Sequence, residues 1–157
     1  MNAGMDDLYR EVILDHHRSP RGAEKLAAHD VEASGKNPSC GDEVTLQLGF
    51  DGERISSVAV LSRGCAIATA SGSILAELAV GRTLAEVVRL AETFRGHMRG
   101  DIPELPDALD TGDLEVLTGV RRFPARVKCA LLPWLTALEA VRARGQGRAV
   151  GVSTTEV

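Results

Sequence analysis

The sequence predicts an α+β fold in which a small antiparallel sheet is flanked by helices. Three observations carry this. An alternating run at 43–50 is followed by a turn pair and a second apolar run, which is the pattern of a β-hairpin. Stretches with helical spacing lie on both sides of that hairpin. The 157 residues are 44% hydrophobic but only 3% aromatic, so one core of Leu, Val, Ile and Ala is expected, large enough to need no disulfide staples.

The elements follow in order. "MDDLYREVILDHHRSPRG" places Leu8, Val12 and Ile13 at helical spacing, with Asp6 and Asp7 at its start and Pro20 and Gly22 beyond its end, which predicts an amphipathic first helix. Val31 to Asn37 is short and polar, compatible with an edge strand or a loop. "EVTLQLGF" sets Val44, Leu46 and Leu48 on one face, Asp51-Gly52 makes the turn, and "RISSVAVLS" returns with Ile55, Val58 and Val60. "AIATASGSILAELAVG" predicts a helix of small residues closed by Gly81, and a further helix runs from an N-cap at Thr83 to about Phe94. The segment "RGHMRGDIPELPDALDTGD" is dense in Gly, Pro and Asp and reads as loops. "DLEVLTGV" is a short helical piece, and "FPARVKCALLPWLTALEAVRARG" is the last helix. One domain over 1–145 and a disordered tail over 146–157 are expected.

A net charge of -4 argues against nucleic acid as a partner, because phosphate binding needs clustered Lys and Arg. No apolar run approaches the roughly 18 residues that span a bilayer, so no membrane partner is expected. The acidic start "MNAGMDDLYR" lacks the basic-then-apolar order of a signal peptide, and a cytoplasmic location is expected. Three cysteines, Cys40, Cys65 and Cys129, cannot all pair within one chain, and a reducing compartment keeps them as thiols.

Each cysteine alone could be a small buried hydrophobe. Their contexts point elsewhere. Cys40 lies in the loop "NPSCGDEV", and Asp42 two residues on can turn to the same side. Cys65 follows Arg63 and Gly64 at a strand-to-helix junction, and Cys129 follows Arg126 and Lys128; a helix N-terminus or a nearby cation lowers a thiol's pKa. If the two loops and the last helix meet, three thiolates and a carboxylate make a four-ligand set suited to tetrahedral Zn²⁺ or an iron-sulfur cluster. The spacing has no CxxC pair and matches no zinc finger. A catalytic Cys-His pair, with His16, His17, His29 or His97 as base, is the other chemistry open. For His16 and His17 a helix-dipole contact or solvation is the expected role.

The blocks "LYREVILDHHRSPRG", "NPSCGDEV", "RGCAIATASGSIL" and "FPARVKCALLPW", in that order, strongly resemble the SufU-type iron-sulfur cluster assembly proteins, relatives of the IscU scaffolds and of the NifU N-terminal domain. The long interval between Cys65 and Cys129 carries "FRGHMRG" and "GDLEVLTGV", which look like the SufU insertion. Lys128 stands where IscU-type scaffolds have a histidine ligand, and no LPPVK-like segment is present. The resemblance implies a SufE/NifU-like sheet of about three strands with helices on one face, the third strand coming from Val31–Asn37. It implies Zn²⁺ on Cys40, Asp42, Cys65 and Cys129, with Cys40 accepting persulfide sulfur, Asp42 completing the site when Cys40 leaves it, and Arg126 close to the metal. The implied partners are a SufS-type, pyridoxal-phosphate cysteine desulfurase and a downstream cluster-assembly scaffold, which makes the chain a sulfurtransferase-like partner rather than a stand-alone enzyme. The alternatives are a scaffold for a transient [2Fe-2S] cluster on the same residues, and a zinc-stabilised module that activates its partner by docking alone. Pro133 lies four residues after Cys129, so either the last helix kinks at that ligand or Cys129 sits in a less regular first turn, the plainer alternative being a tolerated kink that leaves the site unaffected.

Overall fold

The structure is a computed structural model that describes residues 3–106, 109–147 and 150–154. In chain order these form α1 (Ala3–Arg18), β1 (Val31–Asn37), β2 (Asp42–Asp51), β3 (Arg54–Arg63), α2 (Ala66–Ala79), α3 (Leu84–Met98), a 3-10 segment (Gly112–Arg122), α4 (Pro124–Gly145) and β4 (Val150–Thr154). The sheet has the order β3-β2-β1-β4. Its first three strands are antiparallel, as expected, and the undecided stretch Val31–Asn37 is a strand of that sheet.

Of the tail over 146–157 expected to be disordered, Val150–Thr154 forms β4, which runs parallel to β1 from the Glu32–Val150 pair to the Lys36–Thr154 pair, while 148–149 and 155–157 lie outside the described residues. The polar composition of the tail hid this, because its pairing depends on the open edge of β1, which lies more than a hundred residues away in the sequence. The β2–β3 hairpin turns through Gly52, whose φ of +64° suits glycine. Its register shifts between Gly49 and Phe50, so that Ser57 pairs with Gly49 and Ile55 with Phe50, and Ser56 is left over as a bulge. The extra residue resets the alternation and lets Ile55, Val58 and Val60 all be buried.

Helices α2 and α4 pack on the sheet, α1 on α2, and α3 on α4. Small residues make the first of these contacts close: a Cβ on Gly72 would lie 2.8 Å from Val60 Cγ1 and 3.7 Å from Pro133 Cγ. Helix α3 continues past Phe94 to Met98, with Thr83 as N-cap. Gly96 does not stop it, because Ile102 folds back over the place where a Cβ would stand; the chain leaves the helix at Gly100, where φ is +89°. Helix α4 runs unbroken through Pro133, with Trp134 and Phe94 in contact beneath it at a ring separation of 5.7 Å. Among the described residues no helix is long and apolar enough to cross a membrane.

His16 departs most from expectation. It is fully buried, not solvated. Ser73 Oγ accepts from the Arg21 backbone N–H at 2.9 Å, so its own hydroxyl donates to His16 Nδ1 at 2.6 Å. The Nε2–H then donates to Asp113 at 2.8 Å. One imidazole thus joins α1, α2 and the 3-10 segment. His16→Ala removes these bonds, together with that from Arg21 Nη1 to Nδ1 at 3.3 Å, and leaves a cavity, and is expected to cost about 2–4 kcal/mol. Urea unfolding measures this, and a loss below ~0.5 kcal/mol would show that the network adds nothing to stability.

Candidate metal centre

The site forms at one end of the sheet, where the β1–β2 turn, the end of β3 and helix α4 converge. The β1–β2 ladder closes with the pair Asn37–Asp42, leaving Pro38 to Gly41 as the turn. Cys40 N–H donates to Asn37 O at 3.2 Å, and Gly41 completes the turn at a φ of +72°. Cys40 and Asp42 therefore converge through a tight turn rather than along an extended segment, with Cys40 exposed and Asp42 buried. One ligand atom from each of Cys40, Asp42 and Cys129 lies within 4.8 Å of the others.

Cys65 is the N-cap of α2, half-buried, its sulfur accepting from the Ala68 N–H at 3.4 Å. Its own N–H donates to Asp42 Oδ1 at 2.9 Å, and its sulfur is 3.8 Å from Asp42 Oδ2. Gly64 makes this approach possible: φ there is +145°, and a Cβ would overlap the Asp42 carboxylate and lie 2.9 Å from its Cα. Cys129 comes from the second turn of α4 and is fully buried, so the expectation of a less regular first turn does not hold. Pro133 withdraws the helical donor from the Cys129 carbonyl without ending the helix.

Arg126 and Lys128 do not make Cys129 an easy thiolate. Burial pushes its thiol pKa up, and the nearby Asp42 carboxylate and the Cys65 and Cys40 thiols push it further in the same direction. A bound cation inverts that balance, since it takes up the charge that burial otherwise penalises. Arg126 is exposed on the first turn of α4, where it lines an apolar cleft of about 800 Å³ with Tyr9, Ile13, Ile67, Val120 and Phe123. Lys128 is half-buried next to Cys129. No histidine belongs to the thiol group among the described residues: His16 is committed to Ser73 and Asp113, and His97 Nδ1 donates to Ile102 O at 2.8 Å. Neither His16 nor His97 is therefore paired with a cysteine.

Sequence reasoning missed Asn37. It is fully buried, and its Nδ2 donates toward Asp42 Oδ2 at 3.4 Å and toward Cys129 Sγ at 3.6 Å. The available signal was an asparagine as the last strand residue before the "PSCG" turn, a position where a buried amide must find partners.

The donors fit a metal. Tetrahedral zinc with thiolates at about 2.3 Å sets its ligand atoms on the order of 3.5–4 Å apart; the Cys65–Asp42 separation of 3.8 Å lies in that range, and the donors of Cys40, Asp42 and Cys129 lie within 4.8 Å of one another, a group that Cys65 joins through Asp42 rather than through all three. Soft sulfur donors with one carboxylate suit zinc, and the thiolates equally suit an iron-sulfur cluster.

Known proteins are similar to this chain along most of its length. Residues 8–130 match the family described as NifU-like N terminal domain. The zinc-dependent sulfurtransferase SufU of Bacillus subtilis is 37% identical over 146 residues, covering 93% of this chain and 97% of that one. The iron-sulfur cluster assembly scaffold protein IscU of Streptococcus pyogenes is 35% identical over 139 residues, covering 88% and 85%. The crystal structure of a cluster assembly scaffold protein for the SUF system from Fervidobacterium islandicum superposes with a TM-score of 0.79 at 34% identity, covering 89% of this chain and 99% of that one. With the family matched across all four candidate ligands and the fold shared along nearly its whole length, the chain belongs to the NifU-like N-terminal domain family.

Proposed function

We propose that this protein is a zinc-dependent sulfur carrier for iron-sulfur cluster assembly in a reducing cytoplasm, taking persulfide sulfur from a pyridoxal-phosphate cysteine desulfurase of the SufS type onto Cys40 and passing it to a cluster-assembly scaffold. The observation that carries this reading is the contrast among the thiols. Cys40 alone is exposed, in a four-residue turn, whereas Cys65 is tied to a helix N-terminus and Cys129 is fully buried. The thiol that can leave the group is also the thiol that a partner can reach.

Cys40, Asp42, Cys65 and Cys129 would hold the zinc. When bound, Zn²⁺ keeps the thiolates deprotonated near neutral pH and is itself redox-inert, so it does not oxidise sulfur. The Cys40 thiolate attacks the outer sulfur of the donor's persulfide. A new S–S bond forms at Cys40, the donor's own S–S bond breaks, and the donor cysteine departs as a thiolate that takes a proton from solvent. Two electrons enter the new bond and two leave with the departing thiolate, so no external oxidant is needed. Asp42 stays in place throughout, held at Oδ1 by the Cys65 N–H.

The competing reading, a scaffold for a [2Fe-2S] cluster, uses the same donors and is favoured by the similarity to a protein named as a scaffold. Elemental analysis and an absorption spectrum of protein purified anaerobically without added metal separate the two. About one zinc per chain and no visible bands is the expected result. Iron with acid-labile sulfide and charge-transfer absorption would replace sulfur transfer with scaffolding.

A further inference from the structure

We infer that Asn37 is a positioning residue for the metal centre, holding Asp42 and Cys129 in register while Cys40 is engaged elsewhere; this rests on the zinc reading above. Asn37 touches three of the four candidate ligands. Its backbone O accepts from the Cys40 N–H at 3.2 Å, and the same side-chain Nδ2 donates toward Asp42 Oδ2 and Cys129 Sγ.

The orientation of the amide is fixed by chemistry. Turned over, its oxygen would face the Asp42 carboxylate oxygen, which has no hydrogen to share, and a Cys129 sulfur that has none once it binds a metal. In the orientation present, Oδ1 is buried with no hydrogen-bond partner among the described residues. Burying such an atom is unfavourable. A small apolar residue at this strand end would avoid the penalty, so the donor half of the amide must offset it, and among the described residues it donates toward two candidate ligands.

The two ends of Asp42 are then held by different elements. Oδ1 is bound by the Cys65 N–H at the start of α2, and Oδ2 by Asn37 at the end of β1. Cys129 Sγ, arriving from α4, is steadied by the same amide as Oδ2. Without Nδ2 the carboxylate keeps its contacts to Cys65, the N–H at Oδ1 and the sulfur 3.8 Å from Oδ2, but loses its tie to β1, and the Cys129 sulfur loses its link to the sheet. Partners of this kind commonly change metal affinity by about 10- to 100-fold when removed.

The test uses the full chain with Asn37→Ala, stripped with a chelator and reloaded with Zn²⁺ or, as a spectroscopic probe, Co²⁺. Zinc affinity, read by competition with a chromophoric chelator, is expected to fall about 10- to 100-fold. The Co²⁺ ligand-field bands should shift or lose intensity, because they report donor geometry. Zinc affinity within twofold of the parent would overturn the inference, and so would lowered affinity with unchanged cobalt bands, which is the signature of general loosening. Should the alanine variant fail to fold, Asn37→Ser, which keeps a donor on a shorter arm, is measured against the same two criteria. If the parent chain takes up neither metal, the zinc reading itself fails and the inference falls with it; if the parent binds normally and only the variant result is negative, the zinc reading stands alone.

Discussion

Cys40→Ala is expected to abolish sulfur acceptance and leave a folded chain. Cys40 is exposed in a turn whose backbone conformation is set by Gly41 and by the bond from its own N–H to Asn37 O, neither of which needs the thiol. Truncation removes no core contact, so metal-free stability should change by no more than about 0.5 kcal/mol. Zinc binding should weaken without vanishing, since Asp42, Cys65 and Cys129 remain. Desulfurase turnover in the presence of the variant should drop to the rate without any acceptor, and mass spectrometry after alkylation should find no persulfide on Cys65 or Cys129. Unchanged turnover would remove Cys40 as acceptor and leave the docking-module reading, in which the partner is activated by contact alone.

The surroundings of the three thiols were legible from the sequence to different degrees. The Cys40–Asp42 spacing and the strand-to-helix context of Cys65 are local features, and local features are what a sequence displays. Cys129 is different. Its neighbours Arg126 and Lys128 suggested a favoured thiolate, yet its position in the second turn of α4 turns the sulfur inward, and burial overrides the adjacent charges. The same limit explains His16, whose partners Ser73 and Asp113 are far along the chain and become neighbours only when α1, α2 and the 3-10 segment pack. It also explains β4, since nothing in the tail itself reveals that the edge of β1 is open to receive it. The Ser56 bulge was invisible for a subtler reason: Ile55, Val58 and Val60 read as one face, although strict alternation would put Ile55 on the other.

Cys129→Ala should behave oppositely to Cys40→Ala, losing zinc and much of its stability. Two effects combine. The chain has its own aliphatic core, so zinc adds to a folded state rather than creating one, and its contribution follows mass action: about 4 kcal/mol when free zinc exceeds the dissociation constant a thousandfold. For a domain of this size that corresponds to a melting temperature raised by about 8–16 °C. The variant loses this contribution because the remaining buried donor, Asp42, and the half-buried Cys65 no longer have a sulfur on the α4 side. It also loses a sulfur packed in a fully buried position, which adds about 1 kcal/mol of cavity cost. A chelator titration during thermal unfolding separates the two effects. The parent should fall by about 8–16 °C on chelation, Cys40→Ala by less, and Cys129→Ala should begin slightly below the chelated parent and not respond. Equal melting temperatures for the parent with and without chelator would mean that these four residues hold no metal of structural consequence, and the burial of Cys129 beside Asp42 would then be ordinary packing.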